Sequence, residues 1–250
     1  MKIAVSVILS LRILRRLRKT PSFIKEKNMN RKLVLPVVVL SSMLLCTTAF
    51  AEYKPGTYKS VAYGKKDKKH TGKIEVEVTL SADKIEDIKV LEYEQSVGHK
   101  KYGPLVNEAR EKIPAAMVAN QTVQVDGVAK ATMASTALQL AVAKVLHDNT
   151  VAYKPGTYKG TAMGRSDKKH TGTITVEVTV SENKIEDIKV LEYEQSVGHK
   201  KYGAPVTEAK EKIPAAIVAN QSLELDAVVE ATMASNALEL AVARALEQAR

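Results

Sequence analysis

The chain has 250 residues and a formal net charge of +10, a size that allows one large or two small domains. Residues 1–51 hold ten basic residues and one acid, so +9 of this charge lies there and residues 52–250 carry only +1. The body therefore lacks the positive excess that binds a nucleic-acid backbone, and because the single cysteine, Cys46, also lies in residues 1–51, disulfides and thiolate metal ligands are excluded from it.

Residues 1–51 are predicted to be an export signal. A pair of basic residues precedes an apolar run that begins at residue 33, and Ala49 and Ala51 are small residues at the positions that a signal peptidase reads. Residues 1–28 are interpreted as a start-codon extension, because a second methionine follows them directly. An uncleaved anchor is the alternative, but the run is short for a membrane span. We expect secretion across the cytoplasmic membrane, to the periplasm or the cell surface, without stable membrane insertion after cleavage.

The rest of the chain is a tandem duplication with a spacing of 100 residues. Residues 53–148 align with residues 153–248 without a gap, and 68 of the 96 positions are identical. A period of this length is the size of a domain. We predict one domain at 53–148, a linker at 149–152 and a second domain at 153–250. Because the linker is short, the two domains are expected to lie close together.

Each repeat is predicted to be α+β, with a twisted, mainly antiparallel sheet and two helices. In the first repeat, residues 56–62 alternate weakly between apolar and polar and predict an edge strand, whereas residues 73–80 alternate cleanly and predict a second strand. A turn at residues 81–84 leads into a third strand that starts at residue 85 and completes a hairpin.

Two helices are predicted after the hairpin. Residues 104–120 carry apolar side chains at helical spacing, although Pro114 is expected to kink or split that helix. Residues 123–125 predict a short extended segment, and residues 133–146 predict a second helix with one face turned inward. The sequence of the second repeat predicts the same order of elements.

The first candidate for chemistry is a basic loop bounded by Gly98 and Gly103. It contains His99, with His199 at the equivalent position of the second repeat, and Glu94 and Glu194 precede the two loops. Its lysines and backbone amides would suit an anionic ligand, and a charged surface loop is the alternative. The sequence contains no glycine-rich phosphate loop, HExxH or GxSxG, so no catalytic residue and no metal ligand are predicted.

The second candidate segment opens the second helix of each repeat with the pattern D-x-x-x-x-A-T-x-x-S. The residues of this pattern that are identical in the two repeats are Asp126, Ala131, Thr132 and Ser135, and Asp226, Ala231, Thr232 and Ser235. The threonine is predicted at or next to the N-cap, where unpaired backbone amides and the helix dipole favour a phosphate. The alternative is an ordinary threonine cap.

Taken in this order, the features of each whole repeat resemble the FMN-binding domain family. The resemblance is carried by G-T-Y, the strand K-I-x-x-I-x-V-L-E-Y-E-Q-S, the glycine-bounded loop, D-x-x-x-x-A-T-x-x-S and an alanine-rich helix. The family includes flavin subunits of sodium-pumping and Rnf oxidoreductases and domains of extracytoplasmic fumarate-reductase-like enzymes. In its motif, D-x-x-(S/T)-G-A-T, an exported FMN transferase esterifies the last threonine to the FMN phosphate.

The resemblance implies FMN as the cofactor, attached to Thr132 and Thr232. The other residues it implies for FMN binding are Asp126, Asp226, Ala131, Ala231, Ser135, Ser235, Glu94, Glu194, His99 and His199. The pair that is (S/T)-G in the family motif is Ala129-Lys130 in the first repeat and Val229-Glu230 in the second. FMN attached through a relaxed motif, FMN bound without a covalent bond, and a domain without flavin are therefore all open.

Two functions are consistent with these features of the sequence. The first is an electron carrier, more a redox carrier than a stand-alone enzyme, which would need an FMN transferase for maturation and a redox partner such as a reductase or cytochrome. Four tyrosines are candidates to stack on the flavin ring: Tyr93, Tyr102, Tyr193 and Tyr202. The alternative is a non-redox binding module without flavin, whose basic loops bind an anionic ligand or a protein partner.

Overall fold

The computed structural model describes residues 52–65, 71–166 and 170–250. The predicted export signal lies outside the described residues, which all belong to one compact unit. Within those three ranges, no helix has the length and apolar character needed to cross a membrane.

Each repeat folds into a three-stranded antiparallel sheet with two helices, which confirms the predicted α+β class. The strand order is sequential in both sheets, so the first strand of each repeat is an edge strand, as predicted. The elements of the first repeat are β1 (Gly56–Tyr63), β2 (Lys73–Leu80), β3 (Ile85–Tyr93), α1 (Gly103–Asn120) and α2 (Thr132–Asp148). Those of the second are β4 (Gly156–Met163), β5 (Thr173–Ser181), β6 (Lys184–Tyr193), α3 (Gly203–Asn220) and α4 (Thr232–Gln248).

The alternation of β2 gives its sheet one apolar and one charged face. Ile74, Val76 and Val78 are completely buried, because successive side chains of a strand point to opposite faces. On the other face, the Glu77 carboxylate lies 3.9 Å from Lys59 Nζ and 3.6 Å from Lys89 Nζ. These partly exposed ion pairs add little stability, so burial of the apolar face is the main contribution of the sheet.

Helix α1 runs unbroken through Pro114, so of the two effects expected of this proline, a kink or a split, the split does not occur. The helix keeps a continuous buried face on both sides of the proline, formed by Val106, Ala109, Ile113 and Met117, and this packing offsets the missing backbone hydrogen bond. The C-cap of the helix is Gln121, whose side chain bonds both the amide and the carbonyl of Ile85, at 2.8 and 2.9 Å. Those two bonds tie the end of α1 to the start of β3.

The segment around residues 123–125 joins neither sheet, although it carries the alternation of a short strand. Side chains satisfy its backbone instead of a neighbouring strand. Val123 N donates to the Glu247 carboxylate at 2.9 Å, and Gln139 Nε2 donates to Val125 O at 2.8 Å. Glu247 belongs to the second repeat, so this segment is fixed by a contact between the repeats.

The expectation of a single inward face on the second helix of each repeat is wrong. Every residue of α2 from Ala134 to Leu146 is buried, and α4 is buried nearly all round in the same way. The reason is that α2 packs against β1 and β2 on one side and against α4 of the other repeat on another. The two helices therefore form a shared centre, as expected for helices that are apolar all round.

His147 also joins the two repeats. Its Nε2 lies 3.3 Å from Gln221 O, and its Nδ1 lies 2.6 Å from the Tyr153 hydroxyl. Because a carbonyl oxygen only accepts, Nε2 carries the proton and Nδ1 accepts from the tyrosine. Burial lowers the pKa of His147, so the neutral ring is the form that suits this contact.

Gly160 allows α4 to approach β4 closely, and Gly160→Ala is expected to lower the free energy of unfolding by about 3 kcal/mol. A Cβ atom at this position would lie 1.9 Å from Ala241 O and 2.6 Å from Ala245 N, both of them backbone atoms. The equivalent residue in β1 is Ser60, whose buried hydroxyl donates to Glu224 at 2.8 Å. Urea unfolding followed by circular dichroism measures the change.

Ser60→Ala is the matched control for this variant. It keeps a Cβ where one already fits and loses one hydrogen bond, so its expected cost is about 1 kcal/mol. Equal unfolding midpoints for the two variants would contradict the close approach at Gly160.

Candidate functional site

One cavity among the described residues is lined by both repeats. Its volume is about 850 Å³, near the upper end of the range of roughly 300–1,000 Å³ for small-molecule sites. Equivalent segments of each repeat line it: residues just after the first strand, residues 95–96 and 195–196, the start of the first helix, and residues 130–134 and 230–234. The repeats thus bring their two candidate segments to one cavity.

Thr132 and Thr232 are the first residues of α2 and α4, and both line the cavity. The N-cap residues are Ala131 and Ala231, which also line it, so the alternative of an ordinary threonine cap is wrong. Within the described ranges, the hydroxyls of the two threonines have no hydrogen-bond partner. The unpaired amides and the dipole at each helix start favour an anion at this place.

The residue before each N-cap alanine has a left-handed backbone. Lys130 has φ 67° and Glu230 has φ 65°, a conformation that favours glycine and costs an ordinary side chain roughly 1–2 kcal/mol. It is the position of the glycine in D-x-x-(S/T)-G-A-T, so the turn remains although the glycine is absent. Both charged residues line the cavity. Sequence reasoning did not place them in the site, although the missing glycine was the signal for a special backbone position.

Backbone amides of the basic loop before α1 form hydrogen bonds within the loop. His99 Nδ1 accepts from the amides of Lys101 and Tyr102 at 3.1 and 3.2 Å, and Gly103 N donates to His99 O at 2.7 Å. A Cβ on Gly103 would lie 2.1 Å from Val97 O, so the loop closes tightly on itself. Three of the amides expected to hold an anion are therefore engaged within the loop.

The two loops contribute unequally to the cavity. His99 lines it, whereas its counterpart His199 is not among the lining residues. His199 Nδ1 nevertheless accepts from Lys201 N and Tyr202 N at 3.1 and 3.2 Å. The role common to both histidines is therefore to shape the loop. Contact with a ligand stays a prediction for each of them.

The tyrosines divide into two pairs. Tyr102 and Tyr202 line the cavity and offer aromatic rings to a planar ligand. Tyr93 and Tyr193 instead donate through their hydroxyls to the carbonyls of Val106 and Val206, at 2.8 and 2.7 Å. The second pair ties each first helix to its sheet, and its rings are not part of the lining.

Ser135 and Ser235 lie just behind the cavity wall. Both are buried. The Ser135 hydroxyl accepts from Val128 N at 3.0 Å and donates to Ala131 O at 3.1 Å, and Ser235 accepts from Val228 N at 3.1 Å. These bonds hold the turn that precedes each threonine.

The predicted acidic residues also lie outside the lining of the cavity. Asp126 and Asp226 are exposed. Glu94 accepts hydrogen bonds from the hydroxyl and the amide of Thr71, and the backbone carbonyl of Glu194 accepts from Gly172 N at 3.1 Å. Direct contact of these four residues with a ligand stays a prediction.

Two glutamines that sequence reasoning did not single out form part of the wall. Gln95 is buried; its Nε2 donates to Gly72 O at 2.7 Å and its Oε1 accepts from Lys65 N at 3.2 Å. Gln195 makes the equivalent bonds to Gly172 and Arg165, at 2.7 and 3.1 Å. Each glutamine follows a predicted ligand residue in E-Q-S, which was the available signal.

These residues suit a ligand with a phosphate and a flat aromatic ring. Each helix start offers unpaired amides beside a free hydroxyl, Lys65 and Arg165 add positive charge, and two tyrosines line the same cavity. The cavity has room for such a molecule. The donor set therefore fits FMN.

Comparison with known proteins agrees with this chemistry. A family model described as the FMN-binding domain matches residues 70–147 and again residues 170–247. The chain is also 38% identical over 96 residues to an uncharacterised protein of Treponema pallidum (strain Nichols). That alignment covers 38% of this chain and 24% of the relative, so the chain spans about a quarter of the curated protein it matches.

Proposed function

Because this chain belongs to the FMN-binding domain family, with one match in each repeat, we propose that it is an extracytoplasmic electron carrier whose FMN is ester-linked to Thr132 and Thr232. FMN is its cofactor, and the flavin supplies the redox chemistry when bound. The observation that carries the proposal is that both threonine hydroxyls, free of hydrogen-bond partners in the described ranges, open at helix starts onto one cavity.

The residues around each threonine have separate roles in this proposal. The hydroxyl provides the oxygen of the phosphoester, and the first amides of α2 and α4 stabilise the charged phosphate. Tyr102 and Tyr202 pack against the ring. Gln95 and Gln195 keep the wall in place through their backbone contacts.

A carrier fits these residues better than a hydrolytic or other stand-alone enzyme. Among the described residues, the lining contains no set of nucleophile, base and orienting residue, and His99 Nδ1 is committed to the amides of its own loop. The shared cavity favours transfer of electrons between two flavins of one chain. The binding module has less support, because three amides of its basic loop are engaged within the loop and leave mainly the lysine side chains for an anion.

The remaining parts of the proposal follow from the predicted export signal. A protein exported before it is loaded needs an FMN transferase on the same side of the membrane. Electrons then enter and leave through soluble or membrane-bound proteins, for which a reductase and a cytochrome are the proposed classes.

The intact mass of the exported full chain tests this function. The protein is purified from a host that makes an FMN transferase, and from the same host without it as the control. We expect two additions of FMN less one water each, together with flavin absorbance, in the first preparation alone. Flavin absorbance at an unmodified mass would overturn the ester linkage. A colourless, unmodified protein would overturn the carrier function in favour of the binding module.

Electron transfer has its own test on the loaded protein. Under anaerobic conditions, dithionite is expected to bleach the flavin absorbance, and an added soluble cytochrome c is expected to restore it as the haem is reduced. Unloaded protein from the host without transferase is the control. Flavin that is not reoxidised by the cytochrome would contradict the role as a carrier.

A further inference from the structure

The two halves of the cavity differ in charge at one pair of equivalent positions. Lys130 stands in the first half and Glu230 in the second, and both line the cavity. Lys65 is matched by Arg165, and the segment from Ala131 to Ala134 is identical in the second repeat. Because the φ angles at 130 and 230 agree within 2°, the backbone presents the two side chains alike. The difference between the two threonines is therefore mainly electrostatic.

The neighbouring lysines increase this difference. Glu230 Oε1 lies 3.3 Å from Lys201 Nζ and raises the pKa of that lysine, so the second half pairs its positive charge internally. In the first half, Lys101 lies 5.4 Å from the centroid of the Tyr102 ring. Lys130 has no acidic partner within the described ranges, so both lysines are available to an anion.

We propose that the two threonines are unequal flavin acceptors, with Thr132 loaded before Thr232. This inference rests on the proposed function. The donor is a flavin dinucleotide: the threonine oxygen forms a bond to the phosphorus on the FMN side, and the bond between the two phosphates breaks. A nucleoside monophosphate leaves, the hydroxyl proton passes to a base, and no electron is transferred. Lys130 stabilises the phosphate charges near Thr132, whereas Glu230 repels those near Thr232.

The covalent surroundings of the two threonines do not produce this order. The residues that flank each threonine on the helix are the same, and both N-cap alanines are buried. Thr132 is exposed and Thr232 half-buried, which acts in the same direction as the charges. Reversal of the charges separates the two contributions, because it leaves the exposure of the threonines unchanged.

The test is a time course of loading with FAD and a purified FMN transferase at low salt. The full chain is digested at intervals, and mass spectrometry measures the modified fraction of the Thr132 and Thr232 peptides. We expect the Thr132 peptide to be modified about tenfold faster than the Thr232 peptide. Positions 130 and 230 differ by two unit charges, which act on the phosphates through partly solvated space. In the exchange variant Lys130→Glu/Glu230→Lys the preference is expected to fall severalfold or to reverse, and added salt is expected to reduce it in both proteins.

The control exchanges charges at the far end of the hairpins, with Lys84→Glu/Glu182→Lys, and is expected to keep the wild-type ratio. Equal rates in the wild type, or a ratio that the Lys130 and Glu230 exchange leaves unchanged, would overturn this inference alone. Absence of flavin from both threonines would overturn the proposed ester linkage and this inference with it.

Discussion

The variant Thr132→Val/Thr232→Val is expected to carry no covalently bound FMN, and each single variant is expected to carry one FMN fewer than the wild type. Valine keeps the branched shape of threonine and removes only the oxygen that would form the ester. Intact mass after export with an FMN transferase measures the loss. The expected change is complete because no other hydroxyl is placed at the first residue of α2 or α4.

The fold is expected to survive this change. Neither threonine hydroxyl has a hydrogen-bond partner within the described ranges, and neither threonine is buried. The expected loss of stability is therefore below about 1 kcal/mol per site, as for other surface substitutions. Equal urea midpoints for the variant and the wild type, both unloaded, would separate the loss of the ester from a loss of structure.

Thr132→Ser and Thr232→Ser are the matched controls. Serine keeps a hydroxyl at the same position, so attached flavin is expected to remain. Flavin mass on the double valine variant would show that attachment lies elsewhere. Loss of flavin from the serine variants as well as the valine variants would point to a requirement for the threonine methyl group.

The variant Glu239→Gln is expected to be more stable than the wild type by about 4 kcal/mol at pH 9, and to lose most of that advantage at pH 4.5. Glu239 is only 1% exposed, and within the described residues its Oε1 has no hydrogen-bond partner. Burial raises its pKa from the ordinary 4.5 to about 8; the nearby Lys144 lowers the pKa, while Glu224 raises it.

The direction of this pH dependence follows from the number of protons that the folded and the unfolded chain bind. Below pH 4.5 the carboxyl is protonated in both the folded and the unfolded chain, so the folded state keeps its full stability. Between pH 4.5 and about 8 the unfolded chain ionises first, and stability falls by about 1.4 kcal/mol per pH unit. Above pH 8 both states are ionised, and this group has no further effect.

The neighbourhood of Glu239 explains why glutamine is the suitable replacement. Lys144 Nζ bonds to Glu224, at 3.2 Å, and to Val61 O, at 3.3 Å, and among the described residues nothing bonds to Glu239 Oε1. At the equivalent position of the first repeat, Gln139 donates to Val125 O at 2.8 Å. We expect an uncharged amide at position 239 to donate to the same type of backbone acceptor.

Chemical unfolding in urea from pH 4.5 to pH 9 measures how the free energy of unfolding of the wild type and of Glu239→Gln changes with pH. Glu111→Gln, which changes an exposed glutamate on α1, is the control and is expected to follow the wild type. If the free energy of unfolding of Glu239→Gln changed with pH in parallel with that of the wild type, this would contradict the ionisation of a buried carboxyl between pH 4.5 and pH 9.

The elements of each repeat were largely predictable because their signals are local. Strand β2 was predicted at its observed bounds, since alternation over eight residues is a direct consequence of strand geometry. The buried face of α1 was predicted from its spacing, whereas the sequence left open whether Pro114 kinks or splits the helix, because packing on both sides of the proline decides this. The segment at residues 123–125 was predicted to be extended, but its hydrogen-bond partners were not predictable, because Gln139 and Glu247 are distant in sequence.

The candidate site was predictable in part. The threonines were recognised from the motif that each repeat carries, and the FMN-binding family is confirmed by two matches. The glutamines at 95 and 195 and the charged residues at 130 and 230 were not recognised as part of the cavity wall. Their place depends on how separate segments converge, which a single sequence does not specify.

The duplication, the α+β class of each repeat and the family could be recognised from the amino-acid sequence, because they depend on local periodicity and on residues close together in the chain. The mutual burial of α2 and α4 and the opening of the two threonines onto one cavity became visible only in the folded chain. A helix that is apolar all round can be covered by many partners. The choice among them depends on the shapes of surfaces from distant parts of the chain, such as the close approach at Gly160, which no local pattern encodes.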